Sequence, residues 1–159
     1  MIGVLTGHPR RNDVHARLVE LDERNVTVAR QAIAAAGLTG CEVLQGDAGT
    51  TDVCAGAVPA QIVLACGVFG NISAGDVQAT VSALPSLCGP GALVLWTRHR
   101  RSPDLTPAIR SWFGNAAFRE EAFDISDDGF MSVGAHRLAG QPADLLLGRR
   151  LFTFLNETG

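Results

Sequence analysis

Residues Arg17 to Ala48, RLVELDERNVTVARQAIAAAGLTGCEVLQGDA, constrain the fold of this chain more than any other stretch. Leu18, Val19 and Leu21 form a short apolar run of the kind a buried parallel strand shows. Asp22 ends the run, and a helical period begins at once. Val26, Ala29, Ile33 and Ala36 recur at helical spacing and share one face. Gly37 stands where a helix takes its left-handed closing residue. Val43 and Leu44 then supply a second strand, ending at Gly46 and Asp47. A parallel strand–helix–strand unit delivers both strand ends to one sheet edge, and open α/β sheets bind their ligands there. Asp22 and Asp47 are therefore expected in a common crevice. A carboxylate at such a place accepts hydrogen bonds from both hydroxyls of a ribose, and a second one a strand away reaches the exocyclic amine of adenine.

The rest of the chain alternates in the same way. Thr50 to Val58 reads as a short irregular helix or loop, and Ala60 to Phe69 as an apolar central strand. Ser73 and Asp76 make a capping pattern before a stripe of Val77, Val81, Leu84 and Leu87. Gly89-Pro90-Gly91 breaks that helix, and Ala92 to Thr97 forms the next strand. Thr106 as N-cap with Pro107 at the first helical position opens another helix, whose apolar face is Ile109, Trp112, Phe113 and Ala116. Three strand-like segments follow with no helix between them: Phe118 to Phe123, Phe130 to Leu138 and Arg150 to Leu155. Asp127-Asp128-Gly129 is a turn signal joining the first two, although the pattern leaves open which pair forms the hairpin.

Composition removes several classes of function. A length of 159 residues suits one packed domain. A formal net charge of -3 offers no electrostatic case for nucleic acid or an anionic membrane. The longest apolar run, Ile62 to Phe69, is far too short to span a bilayer, and no signal-peptide pattern opens the sequence. Cys41, Cys54, Cys66 and Cys88 are scattered without metal-ligand spacing, and buried free thiols in a cytoplasmic protein are the expectation.

VELDERNVTVARQAI, VLQGDA, AQIVLACGVFGNIS and LCGPGALVLW, in this order and spacing, resemble the class I S-adenosylmethionine-dependent methyltransferases. The resemblance covers roughly residues 16 to 100 well and the tail loosely. It implies an α/β, three-layer Rossmann-like fold with a mostly parallel sheet and a C-terminal antiparallel hairpin. It also implies methyl transfer from S-adenosylmethionine to a small molecule. By this resemblance Asp22 holds the ribose and Glu23 covers the adenine edge. Asp47 lies near the adenine amine and Ala48 near its ring nitrogen. Cys66 and Gly67 flank the methionine end. The alternatives for Asp22 and Asp47 are an N-cap carboxylate and an ordinary turn. The family often has an acid early in the strand where Gln61 stands here.

The residues before Asp22 depart from the family. They hold no strand followed by a glycine-rich turn. Ile2, Val4 and Leu5 read as the back half of a first helix, and Gly7, His8 and Pro9 as its end. The single domain is thus expected to be incomplete at its N-terminus, without the family's first strand and the cradle for the methionine end. Loss of that central strand leaves two edges. The strand before Asp22 is then expected to pair directly with the one from Ala60, or two chains to pair as a homodimer. The alternatives to a methyltransferase are a non-catalytic binding or dimerisation module and a nucleotide-binding oxidoreductase.

Arg98-His99-Arg100-Arg101 leaves the strand that ends near Thr97 and carries the chemistry to recognise a carboxylate or phosphate. Such runs are more often solvated loops. His8, His15 and His136 are dispersed, with neither triad nor metal spacing. No side chain stands out as a catalytic base, and the sulfonium cofactor needs little of one.

Overall fold

The computed structural model describes residues 1–155. In chain order it contains α1 (Ile2–Thr6), β1 (Ala16–Glu20), α2 (Glu23–Ala35), β2 (Cys41–Gln45), β3 (Ala60–Ala65), α3 (Ala74–Ala83), β4 (Cys88–His99), α4 (Thr106–Asn115), β5 (Phe118–Ile125) and β6 (Met131–Leu138). The strands form two sheets: a parallel β1–β2 pair and a four-stranded sheet in the order β3–β4–β6–β5. β3 and β4 are parallel, whereas β6 is antiparallel to both β4 and β5. The α/β class and the closing antiparallel hairpin are as the sequence indicates.

Local signals act where expected. In α2 the face carrying Val26, Ala29, Ile33 and Ala36 is turned inward, with Val26 fully buried. Gly37 has φ +64, and the Gly37 and Leu38 amides donate to Ala34 and Ile33, which closes the helix as a Schellman motif. Val77, Val81, Leu84 and Leu87 are all buried as the stripe predicts, but α3 ends at Ala83, earlier than expected, and Leu84 and Leu87 reach the core from a 3-10 turn around Pro85. The Ser73 hydroxyl accepts from the Asp76 amide at 3.1 Å, but the Asp76 carboxylate turns to the Thr153 amide rather than back to the cap.

α3 and α4 cover one face of the larger sheet. Alternate residues of β4 (Ala92, Val94, Trp96) meet Val77 and Val81 of α3 and Ile109 and Phe113 of α4 in one apolar core. Val26, Leu38, Val43 and Val53 are buried outside that core, around the smaller sheet.

Several expectations are corrected. β3 is an edge strand, not a central one, and it stops at Ala65. It pairs on one side only, and Ile62 and Leu64 on its second face are 60% and 46% exposed. Phe69 leaves the strand and fills the core from the following turn. β4 starts at Cys88, so Gly89-Pro90-Gly91 lies within the strand, at a register shift against β3. The cap of α4 is supplied two residues before Thr106, by Asp104, whose carboxylate accepts the Thr106 amide at 2.9 Å. The hairpin is formed by β5 and β6, and residues 150–155 instead make two single bridges, Thr50–Arg150 and Ile72–Phe154. Of the cysteines only Cys88 is buried, its thiol pushed up to about 11 by desolvation, while Cys66 is exposed beyond the end of β3.

Direct pairing of β1 with β3 does not form. The connection between β2 and β3 is held elsewhere. Its Thr51 amide donates to Arg149, and Leu151 donates back to Gly49. Arg17 of β1 donates to the carbonyls of Val53 and Ala55 at 3.0 and 2.6 Å. These bonds fix the connection against the tail and against a β1 side chain, leaving both strands with a free edge.

The core also contains His136, 1% exposed and stacked on Phe113 at 4.2 Å. Its Nδ1 accepts from Trp96 Nε1 at 3.2 Å, so the ring carries its proton on Nε2, 3.5 Å from Glu120. Burial depresses the imidazole pKa, with Glu120 opposing the shift and Arg110 adding to it. The unfolded chain therefore takes up this proton first. The stabilising difference is complete above the unfolded value of about 6.5 and declines as pH falls below it, by up to about 1.4 kcal/mol per pH unit. Urea titrations at about pH 7.5 and 5.5 should show this loss, and His136→Gln should reduce it. An equal loss in the variant would assign it to other groups.

Candidate functional site

The candidate residues lie at the carboxyl ends of the parallel strands. Asp22 follows β1 and caps α2, where its Oδ1 accepts the Arg24 amide at 2.8 Å. The Arg24 guanidinium lies against the same carboxylate, with Nη2 2.8 Å from Oδ2. The side-chain bond from Arg24, then the backbone bond, hold the Asp22 carboxyl below the usual range. Glu23 is the exposed first residue of the helix.

Asp47 lies just beyond β2. Its Oδ1 accepts the Gly49 amide at 2.8 Å, and Arg150 Nη1 reaches its Oδ2 at 3.0 Å. The Gly49 bond is the first cause of its lowered pKa, and Arg150 adds to it. Ala48 packs half-buried against the main core. Both acids are thus ionised acceptors, and each already holds an arginine.

Cys66 and Gly67 follow β3. Gly67 has φ +75, a conformation that disfavours a side chain, and its amide donates to Thr97 Oγ1 on β4 at 3.0 Å. The structure thereby joins the ends of β3 and β4. Thr97 was not singled out in the sequence, where it is simply the last residue of an apolar run.

A cavity of about 170 Å³ opens beside this junction. Gly67, Gly70 and Asn71 wall one side, Thr97, Arg98 and His99 another, and Phe130 and Met131 close it from the hairpin turn. The basic run is therefore not simply a solvated loop. Arg98 is 7% exposed, alternating inward with Trp96 on β4, while Arg101 lies over the Phe130 ring at 5.0 Å. Among the described residues there is no cluster of three metal-ligating side chains, and no helix is long and apolar enough to cross a membrane.

No protein-family model and no curated protein matches the sequence. Solved structures do match the fold. An O-methyltransferase family protein from Burkholderia thailandensis superposes with a TM-score of 0.64 at 15% identity, over 89% of this chain and 56% of that one. The fibrillarin pre-rRNA processing protein of Methanococcus jannaschii gives 0.62 at 14% identity, over 80% of this chain and 57% of its own. A methyltransferase from Pyrococcus furiosus gives 0.57 at 11% identity, over 80% and 64%. The chain thus spans between half and two thirds of these proteins' lengths. By these superpositions the chain has the Rossmann-like fold of these methyltransferases.

Proposed function

We propose that this chain is a methyltransferase domain that binds S-adenosylmethionine and methylates a small molecule. The observation that carries the reading is the placement of Asp22, Asp47 and Cys66-Gly67 just beyond the carboxyl ends of β1, β2 and β3, each a member of a parallel pair, in the fold of the matched methyltransferases. The residues fit the adenosine half of the cofactor. Asp22 would take the ribose hydroxyls and Asp47 the adenine amine, with Glu23 and Ala48 alongside. The backbone at Cys66 and Gly67 would lie toward the amino-acid end. Arg24 is 90% exposed, and an ion pair so open to water yields readily to a competing ligand. Bound S-adenosylmethionine supplies an already activated methyl group, so the protein's work is to position and desolvate.

A second reading, a non-catalytic module of the same fold, is favoured by one fact. Both carboxylates are already satisfied within the chain, Asp22 by Arg24 and Asp47 by Arg150. Calorimetric titration separates the readings. S-adenosylhomocysteine is expected to bind in the micromolar range and NAD not at all. Asp22→Ala and Asp47→Asn should each weaken that binding by about tenfold or more. A folded chain that binds neither ligand would overturn the methyltransferase reading, and preference for NAD would favour an oxidoreductase.

A further inference from the structure

Among the described residues, the cation at the end of β4 has no protein counter-ion. Arg98 is more than nine-tenths buried. Its Nη1 donates to the Phe69 carbonyl, in the turn that walls the cavity, and its Nε is buried with no partner. Among the described residues, no carboxylate lies within ion-pair distance of it. Asp104, an acid whose charge acts on it, is committed to Arg100 at 3.0 Å and to the Thr106 amide. A guanidinium withdrawn from water without an anion is costly to hold, and the usual recipient of its planar donor fork is a carboxylate.

The surroundings suit such a guest. Among the described residues, no acid lines the cavity. Arg101 stands over the Phe130 ring, and His99 stacks on the same ring with centroids 6.3 Å apart. His99 Nε2 lies 3.2 Å from the Gly70 carbonyl, and its buried Nδ1 has no partner. The volume of about 170 Å³ accommodates a small organic group rather than a macromolecule. Gly67 and Thr97 line the cavity, which places it next to the proposed cofactor edge.

We propose that this cavity is a carboxylate-binding subsite, in which Arg98 and Arg101 hold a small organic acid against Phe130. Naming that acid as the methyl acceptor rests on the function proposed above; the anion subsite itself does not. A purely structural Arg98, clamping the Phe69 turn, is the competing account. It predicts that substitutions change stability but no ligand response.

The test uses the 159-residue chain and benzoate, a planar carboxylate with a ring to stack on Phe130. Thermal unfolding is followed against benzoate and against chloride at matched ionic strength and pH. The chain should show a saturable rise in Tm with benzoate and none with chloride. Arg98→Met and Arg101→Gln should each weaken the benzoate response by about tenfold or more. Arg101 is exposed, so its variant carries the test even if Arg98→Met fails to fold. No saturable response, or the same response in Arg101→Gln, would overturn the subsite. A parallel titration compares S-adenosylhomocysteine with methylthioadenosine, which lacks the carboxylate. If the arginine variants weaken only the former, the acid held is the cofactor's own. If they weaken benzoate alone, it belongs to the acceptor. A chain that binds benzoate but neither S-adenosylhomocysteine nor methylthioadenosine would sink the methyltransferase reading and leave the subsite standing.

Discussion

Trp96→Ala should remove about 3–5 kcal/mol of folding stability, a large part of what a domain of this size has. The indole is fully buried at the centre of the larger sheet. Phe69, Phe113, Phe123 and His136 surround it, with ring centroids 6.1 to 6.2 Å away. They come from the turn after β3, from α4, β5 and β6, so a cavity there loosens every layer at once. Truncation also removes the donor to His136 Nδ1, leaving a buried acceptor unsatisfied. Urea unfolding gives the measurement. A midpoint close to that of the parent chain would show that the cluster does not support the fold as described.

Gly134→Ala should cost about 1–3 kcal/mol for the opposite reason, an excess of volume. Gly134 stands directly across from Trp96 in the β4–β6 ladder, and a Cβ built on it collides with the indole ring. The added methyl has only that ring to displace, and the ring is held on all sides. The two substitutions are therefore coupled. In a Trp96→Ala background the space is vacated, and Gly134→Ala should then cost little or gain. Strict additivity in the double variant would show that the glycine answers to something other than the indole.

What the sequence disclosed was local. The inward face of α2, the burial of Val77 and Val81 on α3, the Gly37 closure and the Asp128-Gly129 turn each depend on residues a few positions apart, and each formed as read. What stayed hidden depends on partners distant in the chain. Ile62 and Leu64 have the composition of a buried central strand, and nothing in their own stretch says that β3 is paired on one side only. Arg150 to Leu155 has strand-like residues, but its amides go to Gly49, Asn71 and the Asp76 carboxylate and not to a ladder. The candidate site divides the same way. Asp22 and Asp47 follow from their places at strand ends. Their arginine partners do not follow equally: Arg24 is two positions from Asp22, whereas Arg150 reaches Asp47 across most of the chain. The inward turn of Arg98 is implicit in the alternation of β4, since Val94, Trp96 and Arg98 share one face. It was obscured because a run of four basic residues reads as uniformly solvated.

The free edges of β1 and β3 have a mechanical consequence. Backbone hydrogen bonding is continuous within each sheet and stops between them, so cooperativity has no ladder by which to cross. The joint instead relies on a few long-range side-chain and tail contacts, Arg17 among them. On the proposed reading, the cofactor would touch Asp22 and Asp47 in one half and Gly67 in the other. It would then act as a cross-brace between the two sheets.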